Sequence, residues 1–445
     1  MKTFLKIIGI IALFILVLLF SLLTGIDRTP YQEMDYYKTW ENTITQKEYA
    51  GSSTSGDSMK VGWSKVNITP DYATPMAGYG KRKGEHFTAV HDSIFVRTIC
   101  IDLAGHKQFL ISLDMLIVPP SITEIVKNGT QVPFENIYLS ATHSHNSIGG
   151  WYNTLVGKLF AGKYDPNIEK MVGENVLKSM KAAEMNMMLA KVTYEENIDS
   201  MHIYNRLVRE KGTIDPEIRS IKFVGAQDSI ILTTYAAHST ILDAATMELS
   251  RDYPGVLVDQ LEGSGYAFAS FMAGAVGSMG PVQVGDTDFE QVENQGINVK
   301  NEVISIPEKT ELFGKQEILK SFYATLPLRK PSPKVTPTIA MRPWVFNWLF
   351  GDYPPFLKSM RIGNILLVGM PCDFSGELMK DLDNYAAKNG LQLIVTSFNG
   401  AYAGYITADQ YFDMDNYETV TMNWYGPENG AYFSEAIRNI VDEMK

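Results

Sequence analysis

The chain opens on one unbroken apolar run. Residues 7–26 carry no charged side chain, and about 20 such residues is the length a helix needs to cross a hydrocarbon core. Lys2 and Lys6 flank its start, and the stretch Leu19-Phe-Ser-Leu-Leu-Thr-Gly25 offers no good small-x-small cleavage site. Residues 1–26 are therefore expected to form an uncleaved signal-anchor transmembrane helix rather than a removed signal peptide. The positive flank puts the N-terminus in the cytoplasm and everything after Asp27 on the extracytoplasmic side, and a cleaved signal would export the body as well. The pattern then turns polar and ends in Ala50-Gly-Ser-Ser-Thr-Ser-Gly56, which predicts a flexible tether over 27–58.

From residue 59 the hydrophobic period switches back and forth between two and 3.6. Strands are predicted over 61–70, 94–103, 108–114, 137–141, 191–194, 218–224, 229–236, 267–272, 362–368 and 391–397. Helices are predicted after Pro119 and over 168–188, 256–261, 289–305 with 308–313, and 429–444, while 326–337 reads as extended. Residues 343–350 are strongly aromatic, as a buried helix face or a lipid-contacting lip would be. Neither an internal repeat nor a second composition regime interrupts the pattern, so 59–445 is expected to be one domain of the α/β or α+β class.

Composition narrows the partners. A net charge of -11 and a pI of about 5.2, with no block of Lys and Arg, exclude a phosphate-tracking nucleic-acid binder. Two cysteines, Cys100 and Cys372, leave neither a disulfide framework nor a thiolate zinc site, and sequence alone does not say whether the two pair.

Two of the seven histidines, His143 and His145, sit two apart at the end of the strand 137–141, just before Gly149-Gly150. Residues two apart on a strand share a face, and strand ends are where α/β proteins place chemistry. The same grammar, an apolar strand with a polar residue at its end, recurs at His238, at Asp373 and at Tyr405. Two imidazoles, a carboxylate and a phenolate form a nitrogen and oxygen donor set suited to zinc with room for a water. Each residue also has a plainer reading: His238 as a core histidine, Asp373 as a helix cap, Arg206 as a surface partner of Glu210, and Tyr405 and Tyr417 as core aromatics.

The order of these segments resembles the neutral ceramidases, zinc-dependent amidases that cut the N-acyl bond of ceramide. Ala141-Thr-His-Ser-His145 is similar to the family's Ala-Thr-His-Thr-His segment, Tyr235-Ala-Ala-His238 to its second zinc histidine, and Tyr204-Asn-Arg206 to an Asn-Arg pair at its reaction centre. Pro371-Cys-Asp373 stands where the family has Pro-Gly-Glu. Tyr402-Ala-Gly-Tyr-Ile-Thr407, followed by Tyr411, Asn416-Tyr-Glu418 and Tyr425-Gly-Pro427, is the nearest match.

The resemblance implies mixed β-sheets flanked by α-helices in a single catalytic domain. It implies Zn2+ on His143, His238, Asp373 and Tyr405, with His145, Arg206 and Tyr417 acting on the substrate carbonyl and its oxyanion. The implied reaction is hydrolysis of the N-acyl amide of ceramide or a related N-acylated lipid by zinc-activated water; the membrane partner is expected separately, from the N-terminal apolar run. Two alternatives stand beside it: a zinc hydrolase of this fold acting on another amide or ester, and a catalytically inert membrane-anchored binding protein. Two departures from the family matter. Gly280 occupies the position of a family serine, with Ser278 two residues earlier, and the sequence ends at Lys445, short of the immunoglobulin-like domain such enzymes carry.

Overall fold

The computed structural model describes residues 2–305 and 317–445, so the helix expected over 308–313 lies outside the described residues. Three larger sheets organise the body. The first runs Ile137–Ala141, His106–Leu113, Phe95–Leu103, Met59–Asn67 and Met188–Leu189. The second has the order Phe268–Ala273, Ser229–Tyr235, Glu217–Val224 and Lys191–Ile198. The third runs Ala50–Gly56, Glu317–Thr325, Phe356–Ile362, Ile365–Gly369 and Gln392–Thr396.

Apolar residues on both faces of these strands fill two kinds of core. Leu110, Tyr138, Ile230, Leu232, Ile365 and Leu367 point into a central core shared by all three sheets. Their neighbours Ile111 and Leu139, Ile231, and Leu366 and Val368 point outward, where helices cover them. Burial on both faces is why these strands carry apolar residues at successive positions and not only at every second one. Pro120–Gly129 and Pro166–Ala183 cover the first sheet, Asp252–Gly263 and Asp288–Ser305 the second, and Met379–Lys388 with Asn429–Met444 the third.

Each sheet contains a parallel pair: His106–Leu113 with Ile137–Ala141, Ser229–Tyr235 with Phe268–Ala273, and Ile365–Gly369 with Gln392–Thr396. The carboxyl ends of these strands converge, and cross-sheet hydrogen bonds fix them there. Ser397 donates its backbone N–H to Ala273 and its hydroxyl to Gly274, at 2.9 and 2.8 Å, while the Ser140 hydroxyl donates to the Ser397 carbonyl at 2.9 Å.

Three expectations change. Residues 27–58 are folded onto the body rather than a flexible tether. Helix Asp35–Thr45 buries Trp40 completely and donates its indole N–H to Asn439, and Tyr31 and Tyr37 donate to Glu435. The Ser- and Gly-rich stretch forms the edge strand Ala50–Gly56, where small side chains fit: a Cβ at Gly51 would lie 2.7 Å from the Ser321 carbonyl oxygen. The segment 362–368 is split by a tight turn between Phe356–Ile362 and Ile365–Gly369, and the helix expected over 168–188 ends at Ala183. Cys100 and Cys372 are free, buried in separate cores.

Candidate metal centre

The strand Ile137–Ala141 delivers His143 in a left-handed backbone conformation, φ 64°, a cost non-glycine residues bear mainly where surrounding structure enforces it. That structure is visible: the His143 N–H donates to Met115, and the ring stacks on Phe398 with centroids 4.1 Å apart. His238 follows Ser229–Tyr235 and is fully buried.

Both rings have a fixed tautomer. Nδ1 of His143 lies 2.6 Å from the Leu116 carbonyl oxygen and Nδ1 of His238 lies 3.2 Å from that of Val276. A carbonyl only accepts, so in each ring Nδ1 carries the proton and Nε2 presents a lone pair. The two Nε2 atoms are 2.8 Å apart. Asp373 Oδ1 stands 3.4 Å from the first and 3.8 Å from the second, buried and without a hydrogen-bond partner among the described residues. Three electron-rich atoms facing one another repel unless a cation lies among them, so these residues fit a metal ion.

His145 Nε2 is 3.2 Å from His143 Nε2, and His143, His145 and His238 together form a group able to hold a metal ion. Gly78 underlies His145: its φ is +110°, and a Cβ there would sit 2.9 Å from the His145 side chain. Arg82, nearly fully buried, braces the loop by donating to the carbonyls of His145, Ala77 and Asp243 and to the Asn146 side chain. Burial, then the neighbouring His143 and the positive charges of Arg206 and Arg82, holds the His145 imidazole well below its usual pKa. Burial, then the Arg206 charge and the two neighbouring imidazoles, does so for His238.

Asp373 does not cap a helix. It lies in a short ribbon, Asp373–Phe374, paired in parallel with Tyr405–Ile406, and it is Ser375 that caps the turn that follows. Tyr402 donates to Asp373 Oδ2 at 2.7 Å. Arg206 reaches Glu418 rather than Glu210: Nε donates to Glu418 at 2.7 Å and Nη2 to the Tyr405 hydroxyl at 2.9 Å. Burial weighs against the Arg206 charge, but the Tyr405 and Glu418 oxygens outweigh it and raise its pKa above the ordinary arginine range. Tyr417 is exposed, its ring 6.0 Å from that of Tyr405.

Ser278 is fully buried and donates to Glu418 at 2.8 Å, so it supports the Arg206 partner, and it lines neither of the two cavities that meet at this cluster. At Gly280 a Cβ would press on the Tyr204 ring at 3.0 Å. Tyr402, Glu418, Gly78 and Arg82 do not stand out as site residues in the sequence. Tyr402 and Glu418 lie inside the tyrosine-rich segments that carry the resemblance; Gly78 and Arg82 leave no signal beyond a glycine-rich turn.

Two cavities meet at this cluster. One, of about 330 Å³, is apolar and runs from His143 and His145 past Tyr402 and Tyr405 to Val156, Leu159, Phe350 and Trp424. The other, of about 570 Å³, has the charged and polar side chains of Lys81, Arg206, Asp243, Asn416 and Glu418 in its lining. His145, Tyr405 and Tyr417 line both.

Against known families, residues 59–294 match the family described as neutral/alkaline non-lysosomal ceramidase, N-terminal. The chain belongs to this family. The ceramidase fold extends further than that match. A neutral ceramidase from Pseudomonas aeruginosa superposes with a TM-score of 0.73 at 18% identity, over 87% of this chain and 74% of that one. A structure described as ceramidase complexed with C2 superposes with a TM-score of 0.75 at 17% identity, over 87% and 75%. Among curated proteins compared by sequence, none matches. The mixed sheets flanked by helices are thus the ceramidase architecture, and the histidine group lies within the matched segment.

Proposed function

We propose that this ceramidase-family protein is a zinc-dependent amidohydrolase that cleaves the N-acyl bond of ceramide or a related N-acylated lipid. The observation carrying the proposal is the meeting of the His143 and His238 lone pairs with the Asp373 oxygen that has no hydrogen-bond partner among the described residues, where His143 lines an apolar cavity. Family membership supports the hydrolase class.

His143, His238, Asp373 and Tyr405 would hold the ion. Zinc bound there would supply Lewis acidity, lowering the pKa of a water to about 7. Burial, followed by the Asp373 charge, raises the Tyr405 phenol well above its ordinary pKa, with Arg206 opposing. Ligation through Tyr405 is therefore coupled to release of a proton.

The acyl chain would lie in the apolar cavity with the amine part toward Lys81, Asp243 and Asn416, which sets the scissile carbonyl against His145. A neutral His145 can donate a hydrogen bond to that carbonyl, and the fixed Arg206 charge, with Tyr417 beside it, can stabilise the oxyanion. Water then replaces the amine at the carbonyl carbon: a C–O bond forms, the C–N bond breaks, and the proton passes to the departing nitrogen. The charged and polar side chains lining the second cavity also favour a broader substrate class, N-acyl compounds whose amine part is hydrophilic. Helix Lys2–Leu22, apolar and unburied over Thr3–Leu22, supports a membrane anchor, and Lys2 and Lys6 at the start of the apolar run would put the body on the extracytoplasmic side.

The test is elemental analysis of the purified full chain, with assays on a panel of N-acylated amines before and after chelation. Stoichiometric zinc and loss of turnover on chelation are expected. Full turnover by metal-free protein would reject the proposal.

A further inference from the structure

The N-terminal helix is not joined to the body by a loose linker. Directly after it, Leu23–Gly25 pairs antiparallel with Ile339–Met341, and the Arg342 N–H donates to the Leu22 carbonyl at 2.8 Å. The Arg342 side chain donates to Phe20 and the Trp344 indole to Ser21, at 2.9 and 3.0 Å. The end of the apolar helix is thus stitched to the start of the short helix Pro343–Phe350.

That short helix leads to the apolar cavity. Phe350, at its far end, lines the cavity and sits 5.0 Å from the Trp424 ring, which in turn lies 5.3 Å from Tyr402, the residue that donates to Asp373. The neighbouring segment is bonded to it as well: the Val156 N–H donates to Leu349 at 3.1 Å and the Tyr152 hydroxyl to Phe350 at 3.0 Å. Eight helical residues span roughly 12 Å, so the cavity wall begins about that far from the end of the apolar helix.

On this same face large apolar side chains stand in solvent: Trp348 is 66% exposed, Leu159 63%, Trp344 54% and Leu155 48%. Trp344 and Trp348 are four apart and share one side of the helix. A soluble surface has no use for such a cluster, whereas the headgroup region of a bilayer is where indoles are favoured.

We propose that this patch is a membrane-docking surface, which with the stitched helix holds the mouth of the apolar cavity against the lipid headgroups. Its partner is the bilayer that receives helix Lys2–Leu22, because the patch is continuous with the end of that helix. An N-acylated lipid can then slide its chain past Leu159 into the cavity without crossing bulk water. This inference rests on reading the helix as a membrane span and the cavity as an acyl site.

The full chain is reconstituted in phosphatidylcholine vesicles, with and without lipids brominated near the headgroup end of their chains, and tryptophan fluorescence is recorded. Bromolipid should quench the wild type, and Trp348→Phe should lose part of that quenching; Trp40 and Trp151, both fully buried, should not contribute. The variant Trp348→Gln with Leu155→Gln should turn over a vesicle-embedded N-acyl lipid about tenfold more slowly, and a short-chain water-soluble N-acyl amine at the wild-type rate. Absent quenching, whether the patch is free or buried in a dimer of the chain, would overturn the docking surface, as would equal loss on both substrates. If the wild type turns over neither substrate, the amidase reading fails, and the quenching still decides the docking.

Discussion

Asp373 and Tyr405 are register partners across a parallel ribbon of two residues each, so the carboxylate and the phenol leave adjacent strands side by side. The ribbon is held from both sides: Asp373 and Ser375 donate backbone N–H groups to Gly404 and Ile406, each at 3.0 Å, and Gly277 donates to Phe374 at 2.8 Å. Backbone pairing thus fixes the spacing of these two residues. Tyr402 then fixes the carboxylate rotamer from behind.

Removing that brace isolates its role. Tyr402→Phe keeps the ring and deletes the donor to Asp373, so zinc affinity should fall by about 10–100-fold with the fold intact. Competition with a chromophoric chelator measures it. Asp373→Ala should bind no stoichiometric zinc.

Arg206 links Glu418 to Tyr405, and its charge cannot be switched off by pH. Arg206→Ala should lower kcat by about 10²–10³-fold, the usual loss when one oxyanion donor is removed, with little change in KM. Glu418→Gln should lower kcat less, because the guanidinium remains but is less firmly aimed. Steady-state kinetics on a short-chain N-acyl amine distinguishes the two.

Ser278, the serine two residues before the family position held by Gly280, acts as a prop. Its hydroxyl donates to Glu418 from a fully buried position. Ser278→Ala should cost about 1–3 kcal/mol of stability, through the unpaired Glu418 oxygen, and leave most turnover. No acyl-enzyme should accumulate in the wild type by mass spectrometry. Gly280→Ser should not raise turnover above the wild type, since a side chain there meets the Tyr204 ring.

Two histidines in the cluster resist protonation, which gives a signed pH effect. The folded pKa values of His145 and His238 lie well below the ordinary 6.5. The unfolded chain therefore binds more protons as pH falls below about 6.5, so the metal-free fold should be at full strength above that pH and lose stability below it. Thermal melts of chelated protein at pH 8 and pH 5.5 should show a lower Tm at the acid value. Zinc-loaded protein should shift less until the ion is released.

Much of this centre is legible in the amino-acid pattern. Polar residues at the ends of apolar strands mark His143, His238 and Asp373, because parallel strands of separate sheets gather their carboxyl ends. The supporting residues are not legible, since Glu418 and Arg82 act through contacts far apart in sequence, with Arg206 and with the carbonyl of His145. The N-terminal tether misleads for a physical reason. Serine and glycine read as a linker, yet at a sheet edge their small side chains admit a neighbouring strand and their hydroxyls pair, as Ser52 does with Asn136 and Ser321.

The folded state of that segment is itself testable. Trp40 has no exposed surface and packs on the C-terminal helix through Asn439. Trp40→Ala should destabilise the body by about 3–5 kcal/mol, the range for a buried aromatic truncation. A flexible tether would show no change in denaturant melts.

The most direct measurement is X-ray absorption at the zinc edge on the full chain, loaded with one equivalent of zinc. Two imidazoles and oxygen donors at about 2.0–2.2 Å are expected, with one oxygen signal lost in Tyr405→Phe. Three imidazoles around the ion, or no bound zinc, would contradict the assignment of Asp373 and Tyr405.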